Sequence, residues 1–120
     1  MGTDPGRPDR ITVNVMSWIY LVLAGLLEIV WAYFMKQSAG FTRLTPSLIT
    51  VVTLLASFGL LALAMRTLPL GTAYTIWTGI GAIGAFLVGI LVYNEPANGA
   101  RVLAALLVMA GIILMKLSST

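Results

Sequence analysis

The chain has 120 residues, 59% hydrophobic and 9% charged, with a net charge of +3; soluble domains carry charge on roughly a quarter of their residues, so this composition describes one membrane-embedded domain. With neither cysteine nor histidine, thiolate nucleophiles, disulfides, Cys/His metal sites and imidazole bases are excluded, and no enzyme activity, metal or cofactor is expected. Proton or cation chemistry must then run through one of four acidic residues, Asp4, Asp9, Glu28 or Glu95.

Residues 1–15 differ from the rest: two prolines, four cancelling charges (Asp4, Arg7, Asp9 and Arg10) and no long apolar run. This segment reads as a disordered extension, native or an expression remnant, with Met16 a plausible alternative start. It lacks the basic region followed by an apolar run of about 7–15 residues that makes a signal peptide. The membrane domain is therefore expected over 16–120.

Charges and prolines cut that domain into four apolar stretches, 18–35, 47–65, 70–93 and 102–115, separated by a polar connection up to Pro46, a turn before Pro69 and the loop Asn94-Glu95-Pro96-Ala97-Asn98-Gly99. A hydrocarbon layer of about 30 Å takes about 20 residues at 1.5 Å rise each. The expected fold is all-α, with four transmembrane helices over about 17–35, 47–65, 70–93 and 99–117. The fourth apolar run is short, and spans if Arg101 and Lys116 snorkel their stems toward the headgroups.

Lys/Arg bias sets orientation in a membrane, and here it is nearly absent. The side holding both termini carries Arg66 and Lys116, joined by Arg7 and Arg10 if the extension is native, against Lys36, Arg43 and Arg101 opposite. Insertion in both orientations is one reading, and would let two copies pair antiparallel; weak preference for a single orientation is the other.

Glu28 lies ten residues after Trp18 and eight before Lys36, near the bilayer midplane. An acidic group there costs about 2.5–3.5 kcal/mol and marks a functional site by default. Desolvation disfavours its charged form, which suits it to exchange protons near neutral pH. The alternative is a neutral carboxylic acid that only hydrogen-bonds a neighbouring helix. Glu95, in a loop, is expected to be solvated.

Gly25 at i−3 and Trp31 at i+3 share the face of Glu28, so a small residue opens space beside the carboxyl and an indole stands over it. Tyr74 and Trp77 repeat the i, i+3 spacing in the third span. Aromatic walls around a carboxyl suit a cation, and a planar guanidinium adds paired hydrogen bonds to the carboxylate. Interfacial anchoring is the alternative for such aromatics; it fits Trp18 and Tyr20 better than Trp31 and Trp77, which lie deeper in their spans. Ser57, between Ala56 and Gly59, either donates its hydroxyl to this network or bonds back to its own helix.

Gly79-Ile80-Gly81-Ala82-Ile83-Gly84 satisfies the dinucleotide-binding pattern, but lies inside an apolar span rather than after a strand, so cofactor binding is discarded. Gly79 and Gly81 are expected to allow close helix approach and to act as a hinge. Gly111 in the fourth span offers a small patch for packing between subunits.

The run Gly25-Leu26-Leu27-Glu28-Ile29-Val30-Trp31-Ala32 with Lys36, the connection Gly40-Phe41-Thr42-Arg43, and Leu68-Pro69-Leu70-Gly71-Thr72-Ala73-Tyr74-Thr75-Ile76-Trp77-Thr78-Gly79-Ile80-Gly81 resemble the small multidrug resistance family, guanidinium exporter subtype. Trp31 is characteristic of that subtype. The resemblance implies a multi-pass protein of the bacterial inner membrane with four helices per subunit, forming an antiparallel homodimer. It implies proton-coupled export of guanidinium or small substituted guanidinium cations, with Glu28 of both subunits as the shared substrate and proton site and Gly25, Trp31, Ser57, Tyr74 and Trp77 lining or supporting it. The expected partners are that cation, protons, the lipid bilayer and a second copy, with no nucleic acid. A multidrug exporter of quaternary ammonium cations is the alternative within the family; a membrane rotor subunit is one outside it.

Overall fold

The computed structural model describes residues 10–118 as four α-helices: α1 Arg10–Gln37, α2 Leu44–Ala64, α3 Leu70–Tyr93 and α4 Gly99–Ser118. All four are long and apolar enough to cross a membrane, as the sequence led one to expect. Residues 1–9 of the segment read as an extension lie outside the described residues, whereas 10–15 belong to α1. The early start has a local reason: residues 10–15 hold no glycine or proline to stop the helix. At α2 the helix begins before Pro46 rather than after it, since a proline in the first turn forfeits only a donor that has no intrahelical acceptor.

The ends of the helices explain themselves in local chemistry. Ser38, fully buried, donates its hydroxyl to the Met35 carbonyl at 2.6 Å and accepts the Phe41 N–H at 3.0 Å. Its own carbonyl receives the N–H groups of Thr42 and Arg43 at 2.9 and 3.1 Å. These bonds hold Ala39, Gly40 and Phe41 in three successive left-handed conformations, φ 50°, 74° and 64°, a path that costs a non-glycine residue roughly 1–2 kcal/mol. Asn94, also left-handed, ends α3, with the Glu95 N–H bonded to the Gly89 carbonyl at 3.0 Å. Asn98 accepts the Arg101 N–H through its side chain at 2.9 Å and so caps α4.

Helix α1 is the hub, packing along both α2 and α3, while α4 packs against α3. A small core lies where α1, α2 and α3 meet, built from Leu21, Ala24, Leu61, Ala64, Leu68, Ala73, Ile76 and Trp77. Side chains of Ser17 and Thr67 hydrogen-bond across it, joining α1 to the α2–α3 turn. No residue of α4 is buried. Close contact between α3 and α4 runs through Gly79, where a Cβ would sit 2.7 Å from Ile112 Cδ1.

Candidate functional site

Glu28 projects from the middle of α1 into the seam with α3. Its carboxyl lies directly against Gly81, where a Cβ could not fit. Gly84, one turn on, receives the Ile29 side chain in the same way, and Gly25 receives Ile80, whose Cγ2 would lie 2.7 Å from a Cβ there. The seam is therefore cut by small residues contributed alternately by the two helices. Space at Gly25 is filled by Ile80 rather than left open beside the carboxyl; the room for Glu28 comes from Gly81. A glycine leaves a notch for its neighbouring helix, and the bulky residue facing it takes the notch.

One turn before Glu28, a buried polar chain crosses three helices. The Trp77 indole Nε1–H of α3 donates to Ser57 Oγ of α2 at 3.0 Å, and the Ser57 hydroxyl donates to the Ala24 carbonyl of α1 at 2.7 Å. Both bonds are buried, and Ser57 is 0% exposed. Ser57 thus does not bond back to its own helix: it accepts from Trp77 and donates to the α1 backbone rather than to the Glu28 carboxyl. In an α-helix the carbonyl of residue 24 also accepts the N–H of residue 28, so this chain ends on the backbone turn that carries Glu28.

Beyond that turn the pattern changes. Glu28 Oε1 and Trp31 Nε1 are both buried without a hydrogen-bond partner among the described residues. One is an acceptor and the other a donor, three residues apart on one helix face. Buried polar groups are paired in the great majority of cases, and each exception calls for an explanation.

Other residues singled out in the sequence fall in different places. Tyr74 is 53% exposed on the outside of the single chain, its ring 5.5 Å from that of Trp77, which is 6% exposed. Phe58 of α2 stands 5.7 Å from the same indole, forming an aromatic row that sequence spacing did not reveal, because its members come from separate spans. Helix α3 runs unbroken through Gly79 and Gly81; their visible part is close approach to α4 and to Glu28. Gly111 is exposed and borders a groove that α4 shares with Thr75 and Gly79 of α3, with nothing within 4 Å of where a Cβ would be. Glu95 is not simply solvated: its carboxyl folds over Gly89, and Arg101 approaches it at 3.9 Å.

Comparison with known proteins finds relatives along most of the chain. A family model described as Small Multidrug Resistance protein matches residues 16–109. Proteins named guanidinium exporter from Citrobacter freundii and Klebsiella oxytoca are each 58% identical to the chain over 104 residues, covering 87% of it and 99% of their own length. One from Yersinia pseudotuberculosis is 57% identical over 104 residues, covering 87% of this chain and all of its own. Four spanning helices and this kinship make the chain a multi-pass protein of the bacterial inner membrane. It belongs to the small multidrug resistance family and resembles the guanidinium exporters within it.

Proposed function

We propose that the chain exports guanidinium, or small substituted guanidinium cations, in exchange for protons, as an antiparallel homodimer. The observation that carries this reading is the pair of buried atoms without a partner among the described residues, Glu28 Oε1 and Trp31 Nε1, well inside the first span. A guanidinium has N–H donors in a rigid fork and no acceptor, so it pairs with the carboxylate and leaves the indole N–H to a second acceptor. In the homodimer that acceptor is the carboxylate contributed by Glu28 of the partner subunit. The relatives named guanidinium exporter support the cargo.

Coupling follows from competition. Guanidinium stays charged at any physiological pH, so the carrier cannot neutralise its cargo and neutralises its own site instead. Two carboxyls close across the dimer axis titrate as a pair. Binding of the cation releases protons, and protonation releases the cation. If the dimer changes its open side only when loaded, inward proton flow drives outward cation flow. Gly79 and Gly81 serve as the hinge in this scheme, Tyr74 closes the aromatic side in the dimer, and Gly111 lies in the α4–α4 contact.

The test is transport in proteoliposomes with guanidinium, a substituted guanidinium and a quaternary ammonium ion. Currents on a solid-supported membrane should appear with the first two and be much weaker with the third. Glu28→Gln should keep the fold and abolish exchange; undiminished guanidinium-driven proton movement in that variant would overturn the scheme.

A further inference from the structure

Two turns beyond Glu28, at the end of the same seam, lies a second place suited to a cation. A cavity of about 110 Å³ opens between the last turns of α1 and α3, lined by residues that include Tyr33, Lys36, Gly89, Tyr93 and Glu95. Ile29, which fills the notch at Gly84 beside Glu28, also borders it. At ~30 Å³ per liquid water, the space corresponds to about four waters or one small organic cation.

Its walls have cation-binding character. Glu95 is held there by the bond from its N–H to the Gly89 carbonyl at 3.0 Å, and its carboxyl packs onto Gly89. The Tyr93 hydroxyl accepts Gln37 Nε2–H at 2.6 Å, which fixes the ring, and the Tyr33 ring lies 6.2 Å away. Lys36 already uses the site: its Nζ is 5.7 Å from the centre of the Tyr93 ring. Arg101 touches Glu95 from outside at 3.9 Å, but its guanidinium lies over the Phe86 ring and borders a neighbouring groove.

The geometry points to a cation seat between the aqueous face and Glu28, in which Lys36 is a tethered occupant that arriving guanidinium displaces. This rests on the guanidinium reading of the cargo. An ammonium is a compact, strongly hydrated charge, and here one ring face holds it at long range. Guanidinium is planar and weakly hydrated, stacks on an aromatic ring and forms two parallel bonds to a carboxylate. The seat therefore favours the cargo over the lysine, and the returning lysine helps to move the cargo on. Cations that can neither stack nor bond to a carboxylate leave Lys36 in place.

The chain has only two lysines, Lys36 and Lys116, and both lie over rings, Lys116 at 4.2 Å from the Trp18 ring. Among the described residues the groove around Lys116 contains no carboxylate, so this second pair is an internal control. Reductive ¹³C-methylation labels both side chains and keeps their charge. With the full chain in lipid nanodiscs, titration with guanidinium chloride against sodium chloride should move the Lys36 methyl resonance out of its ring-shielded position. Half-saturation should come at a concentration about tenfold or more below any movement of Lys116, since only Lys36 shares its ring with a carboxylate that guanidinium can grip. Glu95→Gln, nearly isosteric, should weaken the response severalfold, and Glu28→Gln should leave it in place. The seat is refuted by an unresponsive Lys36, by both lysines moving together, by a response that Glu95→Gln leaves unchanged, or by one that Glu28→Gln abolishes. A retained Lys36 response in a protein that moves no guanidinium across liposomes would sustain the seat and refute the export reading.

Discussion

Two adjoining turns of α1 treat buried polar atoms in opposite ways. Around Ala24, the Trp77 N–H, the Ser57 hydroxyl and the backbone carbonyl form a chain in which each hydrogen has an acceptor. Around Glu28, the carboxyl Oε1 and the Trp31 N–H have none among the described residues. The first joins α1, α2 and α3, and the second lies one turn on in the seam of α1 and α3. In an apolar interior an unpaired donor or acceptor costs about 1–3 kcal/mol, so the second arrangement persists only because the first, with the glycine seam, holds the helices in place. The paired turn is scaffold and the unpaired turn is available for chemistry.

The largest way to break this contrast is to close the notch. Gly81→Val would drive a branched side chain into the space of the Glu28 carboxyl. Transport should fall by about two orders of magnitude, with the helices separating or the carboxyl rotating away, the latter where packing cannot yield. Flux in proteoliposomes measures the loss, and circular dichroism shows whether the helices survive.

Next comes the paired turn. Ser57→Ala leaves the Trp77 N–H and the second lone pair of the Ala24 carbonyl without partners, and should cost about 1–2 kcal/mol of stability, within the range for hydrogen bonds between membrane helices. Thermal unfolding in detergent checks this. Trp31→Phe is its counterpart at the unpaired turn: it removes an indole N–H that has no partner within the subunit among the described residues, so the stability of the monomer should hold or rise slightly. Guanidinium binding should meanwhile weaken about tenfold, the equivalent of roughly 1.4 kcal/mol for one lost hydrogen bond. If Ser57→Ala and Trp31→Phe destabilise equally, the distinction between scaffold and site fails.

The smallest effect within the subunit is expected at Gly111, where added atoms meet only open space. Gly111→Leu should leave the helix content of a monomer unchanged, helix propensity even favouring leucine by about 0.8 kcal/mol. In the proposed homodimer, dissociation measured by dilution in detergent should increase, since an added side chain would push apart the α4–α4 contact of that proposal.

How much of this was legible beforehand depended on whether one segment or several decided the matter. Number and rough extent of the helices follow from apolar run length, a local property, and Glu28 stands out because a charge in such a run is costly wherever the helix packs. Pairing across helices is not local. Ser57 offered two readings, and only its place opposite Ala24 chose between them. Gly25 and Gly81 both looked like sources of space, yet the facing residue determines which notch is filled: Ile80 occupies one and the Glu28 carboxyl the other. Phe58 was passed over because nothing within its own segment marks it, and Glu95 was assigned to solvent because the approach of Gly89 and Arg101 is not written in its loop. The start of α1 was missed by several residues because the prolines and charges of 1–9 made 10–15, which hold neither proline nor glycine, look like part of the same segment.

The two charged residues of α4 have one more consequence. Arg101 lies over Phe86 and Lys116 over Trp18, so the cationic ends of the helix are fastened to rings on α3 and α1 instead of extending freely along its axis. They lie fifteen positions apart, or about 22 Å of helix, against a hydrocarbon thickness of about 30 Å. That makes α4 a gauge of the lipid: bilayers of short acyl chains fit the distance between its fastened ends, whereas long chains strain it. Activity should therefore decline as acyl length increases, independently of cargo or proton gradient.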